Sequence, residues 1–428
     1  MSLTSLVETQ PRASASRERR APFLARWLRP RLLERFERLA WGRLTLVEDG
    51  GEVSFGARSP DAPDVRVRVR DPELWVDLAL GGSVGAGEAY VAGHWEADDL
   101  PGLVRVLVRN RAVLEDLEGG LARLGAPLLK LAHRLRDNSR DGSRRNIAGH
   151  YDLGNDFYKL FLDETMMYSC AVFEHEGQSL HDASLAKLER IARKLDLRPD
   201  DHLLEIGTGW GGMALHAAGR YGCRVTTTTI SQAQHDLAVE RVRAAGLQGR
   251  VEVLLEDYRD LRGRYDKLVS IEMIEAVGER WLDTYFASCS RLLQPDGVML
   301  LQAITMQEQL YDSMRKNVDF IQRHVFPGSH LVSVRAVAER VARVTDLRIA
   351  HLEDITEHYV TTLQHWRQRF LARRDEVRAL GFGEPFLRLW DYYLAYCEGG
   401  FAERSIGDVQ LLLTKPLARA PVPLGRLG

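Results

Sequence analysis

The stretch His202-Leu203-Leu204-Glu205-Ile206-Gly207-Thr208-Gly209-Trp210-Gly211-Gly212 sets the fold. A short apolar run ends on an acidic residue, and a glycine-rich turn follows it. Glycines let the backbone turn sharply and let a ligand approach with no β-carbon in the way. Glu205, Gly207, Thr208, Gly209 and Gly211 are therefore expected to hold a nucleotide-like ligand, with Glu205 accepting hydrogen bonds from a cationic group on it. Gly207, Gly209 and Gly212 also satisfy G-x-G-x-x-G, which on its own is weak evidence for a dinucleotide. A dinucleotide site usually carries an acid about 20 residues further on. Here that region reads Arg224-Val225-Thr226-Thr227-Thr228-Thr229, without a carboxylate. Asp257-Tyr258, after a later strand, suits adenine by hydrogen bonding and stacking. S-adenosylmethionine fits this pattern better than a dinucleotide; a purely structural glycine turn is the alternative, and Trp210 either meets ligand or packs.

Outward from the turn, helical and strand-like patterns alternate. Leu185, Leu188, Ile191, Ala192 and Leu195 share one helical face before it. Strands are expected at 223–227, 251–255, 267–271 and 298–302, with a turn at Gln294-Pro295-Asp296-Gly297. Ser231-Gln232-Ala233-Gln234 has the form of a capping box and should open a helix. Repeated units of this size imply an α/β fold with a doubly wound, largely parallel sheet; with the S-adenosylmethionine reading of the turn, the expectation is a Rossmann-like sheet of the class I methyltransferase type. Residues 305–410 read as mostly helical and rich in aromatics.

On the N-terminal side a smaller α+β domain is expected over 21–134. Apolar and Arg residues interleave from Phe23 to Leu39 at helical spacing, with Pro30 expected to kink or split the helix. Packing on its own domain and lying on a lipid surface are both open for this helix. Val65-Arg66-Val67-Arg68-Val69-Arg70 alternates as a strand does. Residues 1–20 read as a disordered tail, 135–147 as a linker, 148–415 as the catalytic domain and 416–428 as a tail.

The chain has 428 residues and a net charge of -2, which gives no overall pull toward nucleic acid. Residues 1–45 hold ten Arg, no Lys and four Glu, so this segment is strongly basic on an acidic body. That pattern suits anionic lipid. Cys170, Cys223, Cys289 and Cys397 form no CxxC pair, so reduced thiols are expected and no metal site. No secretory signal and no transmembrane run are visible. A cytoplasmic protein, peripherally attached to the inner face of the membrane, is the expectation; a homodimer stays open.

The segment His150–Tyr158 (HYDLGNDFY) and Met167-Tyr168-Ser169-Cys170-Ala171 are distinctive. With Leu204–Gly212, Thr229-Ile230-Ser231, Asp257–Asp260, Ser270–Gly278, Phe326-Pro327-Gly328, Tyr359–Leu363 and Tyr393–Cys397, the chain resembles the cyclopropane-fatty-acyl-phospholipid synthase family. The resemblance covers roughly 145–410, and more loosely the N-terminal part through Gly87–Tyr90 and His94–Glu96. It implies an enzyme that adds a methylene carbon from S-adenosylmethionine across a cis double bond of an acyl chain in membrane phospholipid, forming a cyclopropane. Loss of a different proton, or reduction, would give a methylene- or methyl-branched chain instead.

The resemblance further implies a bound bicarbonate ion as base, held by Cys170, Glu275, Gln302, Ile304 and Tyr359. For the nucleotide it points to Tyr168, Ser169, Gly207, Gly209, Gly211, Thr229, Ile230, Ser231, Gln234, Tyr258, Arg259 and Ile271. Ser231 also reads as a helix cap and Ile271 as a strand residue. Cys397 matches a cysteine treated as part of the family's active site, although an attacking alkene needs no thiol. Gln302 stands where many members have His, Ala276 where His is frequent, and Ser329 and Val332 where Gly and Pro are usual. Gln cannot titrate, which removes proton relay at position 302 but not anion binding.

Overall fold

A computed structural model describes residues 21–117, 153–315 and 317–419. Its contacts divide the chain into two compact units. One draws on Met1–Leu135, Lys316–Pro327 and Trp366–Ser405; the other on Arg136–Arg315, Gly328–His365 and Ile406–Gly428. This grouping departs from linear boundaries at 21–134 and 148–415, because two segments of the C-terminal half join the N-terminal unit. Apolar packing explains why. The helix Glu384–Ala402 lies against the helices Leu100–Arg109 and Glu73–Ala92. A β-carbon on Gly399 would stand 2.6 Å from Val104, so glycine is what lets those two helices meet. The expected tail 1–20, linker 135–147 and last residues 420–428 lie outside the described residues.

The first unit carries a four-stranded sheet of β1 (Arg43–Glu48), β2 (Gly51–Gly56), β3 (Asp64–Val69) and β4 (Trp95–Ala97), in the order β2-β1-β3-β4. The alternation in β3 buries Val65 and Val67 and leaves Arg66 and Arg68 outside. Helix Ala21–Phe36 runs through Pro30 rather than splitting there. Leu28, Leu32 and Phe36 are buried on one face, and that packing outweighs the hydrogen bond proline cannot make. The same helix leaves Phe23 78% and Trp27 51% exposed.

The second unit is built on seven strands: β5 (His202–Ile206), β6 (Arg224–Thr229), β7 (Val251–Leu255), β8 (Tyr265–Ile271), β9 (Leu293–Met306), β10 (Arg348–Asp354) and β11 (Ile406–Thr414). Their order is β10-β11-β9-β8-β5-β6-β7. Strands β5 to β9 are parallel, and β11 is antiparallel to both β9 and β10. This is the expected doubly wound sheet with one antiparallel addition. The side-chain period of two splits the core into two layers. Leu204, Leu268, Leu301 and Leu411 enter one, and Leu203, Val269, Leu300 and Leu412 the other.

Residues 305–410 are mostly helical, as expected, with β10 among them and β11 beginning there. Two local expectations are corrected. Residues 294–297 fall inside β9, where the pairing with β8 slips between Tyr265 and Lys267 and the bulge absorbs the extra residues. Leu185 is 36% exposed, while Leu188, Ile191, Ala192 and Leu195 of the same helix, Leu180–Leu195, are buried.

Strands β6 and β8 lie on either side of β5, so the strand order reverses there. In such sheets the ligand crevice opens at the carboxyl ends of the strands beside the reversal. Those ends carry Glu205 and the glycine turn on β5, Ser231 beyond β6, Asp257 beyond β7, Ile271-Glu272 on β8 and Gln302 to Ile304 on β9.

Candidate active site

The turn after β5 is held by two hydrogen bonds from the Gly207 and Thr208 N–H groups to Thr228 O, both 3.0 Å. Gly207 sits at φ +99° and Gly211 at +88°, conformations that side chains other than glycine adopt at a cost. A β-carbon on Gly209 would meet nothing within 4 Å, so the turn opens onto free space. Glu205 is buried and accepts 2.7 Å from Thr227 Oγ1, which itself lies 2.7 Å from Thr208 Oγ1. Burial pushes the Glu205 carboxyl up to about 8, against the hydrogen bond from Thr227. A buried carboxyl with that bias suits a cationic group on a ligand.

Ser231 caps the helix Gln232–Ala244 by accepting from the Gln234 N–H at 3.4 Å. The Gln234 side chain does not return the bond; it accepts from Thr229 Oγ1 at 2.8 Å. Ile230 follows β6 at the same crevice end. Arg259 grips both carboxylate oxygens of Asp257, at 2.8 and 2.6 Å, and lies 5.6 Å above the Tyr258 ring. This pair fixes the loop on which Tyr258 stands. Trp210 is buried, donates to Asn155 Oδ1 at 2.7 Å and packs on Tyr158, whose ring also meets Tyr168.

Next to this turn stands a second group of residues. A β-carbon on Gly207 would come within 3.0 Å of Met273, so the turn abuts the segment after β8. Glu272 in that segment is the hub. Its Oε1 accepts from the Cys170 N–H at 2.8 Å and from Gln302 Nε2 at 2.7 Å, and its Oε2 from the Tyr359 hydroxyl at 2.6 Å. Glu275 Oε1 accepts from the Ile304 N–H at 2.6 Å, while its Oε2 is buried without a partner. Cys170, Glu275, Gln302, Ile304 and Tyr359 are thus brought together, around a carboxylate that the sequence reading did not single out.

The Gln302 amide is oriented by a chain of donors. Lys194 Nζ can only donate, and does so to Gln410 Oε1 at 2.7 Å. Gln410 Nε2 then donates to Gln302 Oε1 at 3.0 Å, which turns the Gln302 NH2 toward Glu272. Asp408, fully buried on β11, sits 3.3 Å from Gln302 Nε2. Burial, then the neighbouring Glu272 and Glu275, push Asp408 well above the carboxylate range. Glu275 is pushed up to about 8 by burial and by Glu272. Lys187, buried in the same region, donates to Ser169 Oγ at 2.8 Å, and burial lowers it to about 8. The Cys170 thiol is raised by burial and by Asp408 and Glu272, so it contributes its backbone N–H and not a thiolate.

Glu272, Lys187, Asp408 and Gln410 were missed by sequence reasoning. Glu272 carried a usable signal, an acid at the carboxyl end of a strand beside the reversal. Lys187 lies beside Leu188 on the helix Leu180–Leu195, and no sequence motif marked it. Cys397 belongs to the other unit, on the helix Glu384–Ala402. Burial and the nearby Asp319 push its thiol up, the opposite of what an activated nucleophile needs.

Residues 138–411 match the family described as mycolic acid cyclopropane synthetase. Tuberculostearic acid methyltransferase UfaA1 of Mycobacterium tuberculosis is 40% identical over 379 residues, spanning 87% of this chain and 88% of that protein. The cyclopropane-fatty-acyl-phospholipid synthase of Escherichia coli K12 is 37% identical over 352 residues, spanning 82% and 87%. The crystal structure of mycolic acid cyclopropane synthase CmaA1 complexed with SAH and CTAB superposes with a TM-score of 0.60 at 31% identity, over 64% of this chain and 98% of that one. A crevice that suits S-adenosylmethionine, beside a buried acidic cluster, thus lies in a chain that belongs to the mycolic acid cyclopropane synthetase family and is an S-adenosylmethionine-dependent methyltransferase.

Proposed function

We propose that the chain transfers a methylene carbon from S-adenosylmethionine to a cis double bond of an unsaturated acyl chain in membrane phospholipid, forming a cyclopropane. The observation that carries this reading is the cluster of Glu272, Glu275 and Asp408 at the carboxyl ends of β8 and β9, next to the glycine turn. Bound S-adenosylmethionine supplies an electrophilic methyl group. An alkene has no proton to lose before it attacks, so a base is needed only afterwards, at the transferred carbon. The site suits that order. Glu272 is fixed by three donors, so an acceptor oxygen is held in place beside the glycine turn. The names of the Escherichia coli synthase and of CmaA1 support the same product.

The substrate surface is proposed from the first unit. Phe23 and Trp27 stand exposed on a helix that also carries Arg26, Arg31 and Arg35, as a helix lying on anionic lipid would. Among the described residues no helix is long and apolar enough to cross a membrane. A peripheral place on the inner membrane face follows from this reading.

A second reading keeps the methyl transfer and changes its end. Gln302, where a titrating histidine was expected, and the name of the 40% identical tuberculostearic acid methyltransferase favour a methylene- or methyl-branched chain. Incubation with S-adenosylmethionine and vesicles of cis-unsaturated phospholipid, followed by proton NMR of the extracted lipid, separates the two. Ring-proton signals at high field support the cyclopropane. Vinylic methylene signals without them, or a branch-methyl signal in a parallel incubation supplied with a hydride donor, support the second reading, and unchanged lipid refutes both.

A further inference from the structure

We propose that Glu272 is the base of this enzyme, standing where the family resemblance places a bicarbonate ion. The inference rests on the proposed transfer to an acyl double bond. The niche does not fit a free anion. Of the five positions expected to hold the ion, three direct their donors to Glu272: the Cys170 N–H, Gln302 Nε2 and the Tyr359 hydroxyl. The fourth donor, the Ile304 N–H, is taken by Glu275, the fifth position. An ion placed there would have to displace a carboxylate from all three donors. Glu272 accepts from all three donors and also hydrogen-bonds the Asp408 carboxyl, where the rise of Asp408 places the shared proton on Asp408. Burial pushes Asp408 well above the carboxylate range and Glu275 up to about 8, so both favour their protonated forms and leave the accepting role to Glu272.

Backbone geometry supports the assignment independently. Glu272 holds φ +47°, a conformation that glycine adopts freely and glutamate does not. Its N–H donates to Gln302 O at 2.9 Å, so the turn is pinned to β9. A strained residue held in place at the end of a strand beside the ligand crevice is where strain serves function. Gln302 and Asp408 are fully buried, whereas Glu272 and Glu275 are only partly buried; of those two, Glu272 is the one that gathers the Cys170, Gln302 and Tyr359 donors.

The step balances with this chain's own groups. The alkene π pair forms a bond to the methyl carbon, the carbon–sulfur bond breaks, and its pair stays on sulfur as S-adenosylhomocysteine. One C–H bond of the new methyl then breaks. Its electron pair closes the ring onto the cationic carbon, and the proton passes to a Glu272 oxygen and on to water.

The test has two arms. In the first, transfer of radiolabelled methyl from S-adenosylmethionine into cis-unsaturated phospholipid vesicles is followed in buffer stripped of carbon dioxide, with and without added bicarbonate. Wild type should run equally fast in both. Glu272→Gln should fall by roughly a hundredfold or more, the usual contribution of a general base. Glu272→Gly, which relieves the backbone and empties the niche, should fall similarly and recover at least about tenfold with bicarbonate as such a base is restored. A wild type that needs bicarbonate, or a Glu272→Gln enzyme within about threefold of wild type (far below a base's usual share), overturns the proposal. In the second arm, 13C-bicarbonate is titrated and followed by NMR without turnover. Saturable binding to Glu272→Gly but not to wild type supports the assignment; saturable binding to wild type overturns it. If wild type labels no lipid in any buffer, the proposed function fails, and the titration still decides whether Glu272 fills the niche.

Discussion

Replacing Glu205 by Gln removes an ionisable group while keeping its shape, and its effect on ligand binding should depend on pH. In the free protein burial holds this carboxyl at about 8. An ammonium bound beside it favours the ionised form, so the folded pKa falls on binding and a proton is released. Binding must therefore first remove a proton, at a cost of about 2.7 kcal/mol at pH 6 and about 0.4 kcal/mol at pH 8. Affinity of wild type for S-adenosylhomocysteine should accordingly rise about fiftyfold from pH 6 to pH 8 beyond any titration of the ligand itself. Glu205→Gln forgoes a charge-assisted hydrogen bond of about 1.5–3 kcal/mol. It should bind about tenfold to a hundredfold more weakly at pH 8 and come within about threefold of wild type at pH 6. Isothermal calorimetry measures both affinities, and repeating it in two buffers of different ionisation heat counts the released proton. The variant carries the ligand's own titration, so the difference between the two proteins isolates Glu205. A penalty that is the same at pH 6 and pH 8, or no proton released by wild type, would refute the reasoning.

Cys397→Ser should keep most of its activity in the lipid assay, because burial holds that thiol far from the thiolate form; loss of activity with an intact melting temperature would restore Cys397 to the catalytic machinery. Gly207→Ala places a β-carbon about 3.0 Å from Met273 at a φ of +99°, so it should cost about 1–2 kcal/mol of stability and weaken S-adenosylhomocysteine binding, read by thermal melting and calorimetry. Replacing both Phe23 and Trp27 by Ser should lower sedimentation with anionic vesicles by roughly tenfold, for a loss of about 1–2 kcal/mol of apolar burial, while leaving S-adenosylhomocysteine binding unchanged.

Much of the sheet was legible because its residues obey simple rules. Leu203 and Leu204 alternate between two apolar layers, and the turn from Gly207 to Gly211 has the backbone conformations that only glycine takes easily. Strands β10 and β11 were not legible. Strand β11 carries Asp408 and Gln410 at positions that look solvent-facing but are fully buried against the polar cluster. Strand β10 is largely exposed and offers no apolar stripe. The grouping of 366–405 with the N-terminal unit depends on close helix packing at Gly399 and Val104, a contact between residues nearly three hundred apart in the chain. Glu272 was overlooked for a related reason. The quoted motif includes it, but only the fold shows that Cys170, Gln302 and Tyr359 all turn toward it.

The fate of the transferred carbon tests the account most directly. S-adenosylmethionine bearing a trideuterated methyl group, incubated with the enzyme and cis-unsaturated phospholipid vesicles, labels the acyl product for mass spectrometry. Attack by an alkene followed by proton loss from that carbon predicts that two of its three deuterons remain on the acyl chain. Retention of all three, or label found only outside the acyl chain, would contradict it.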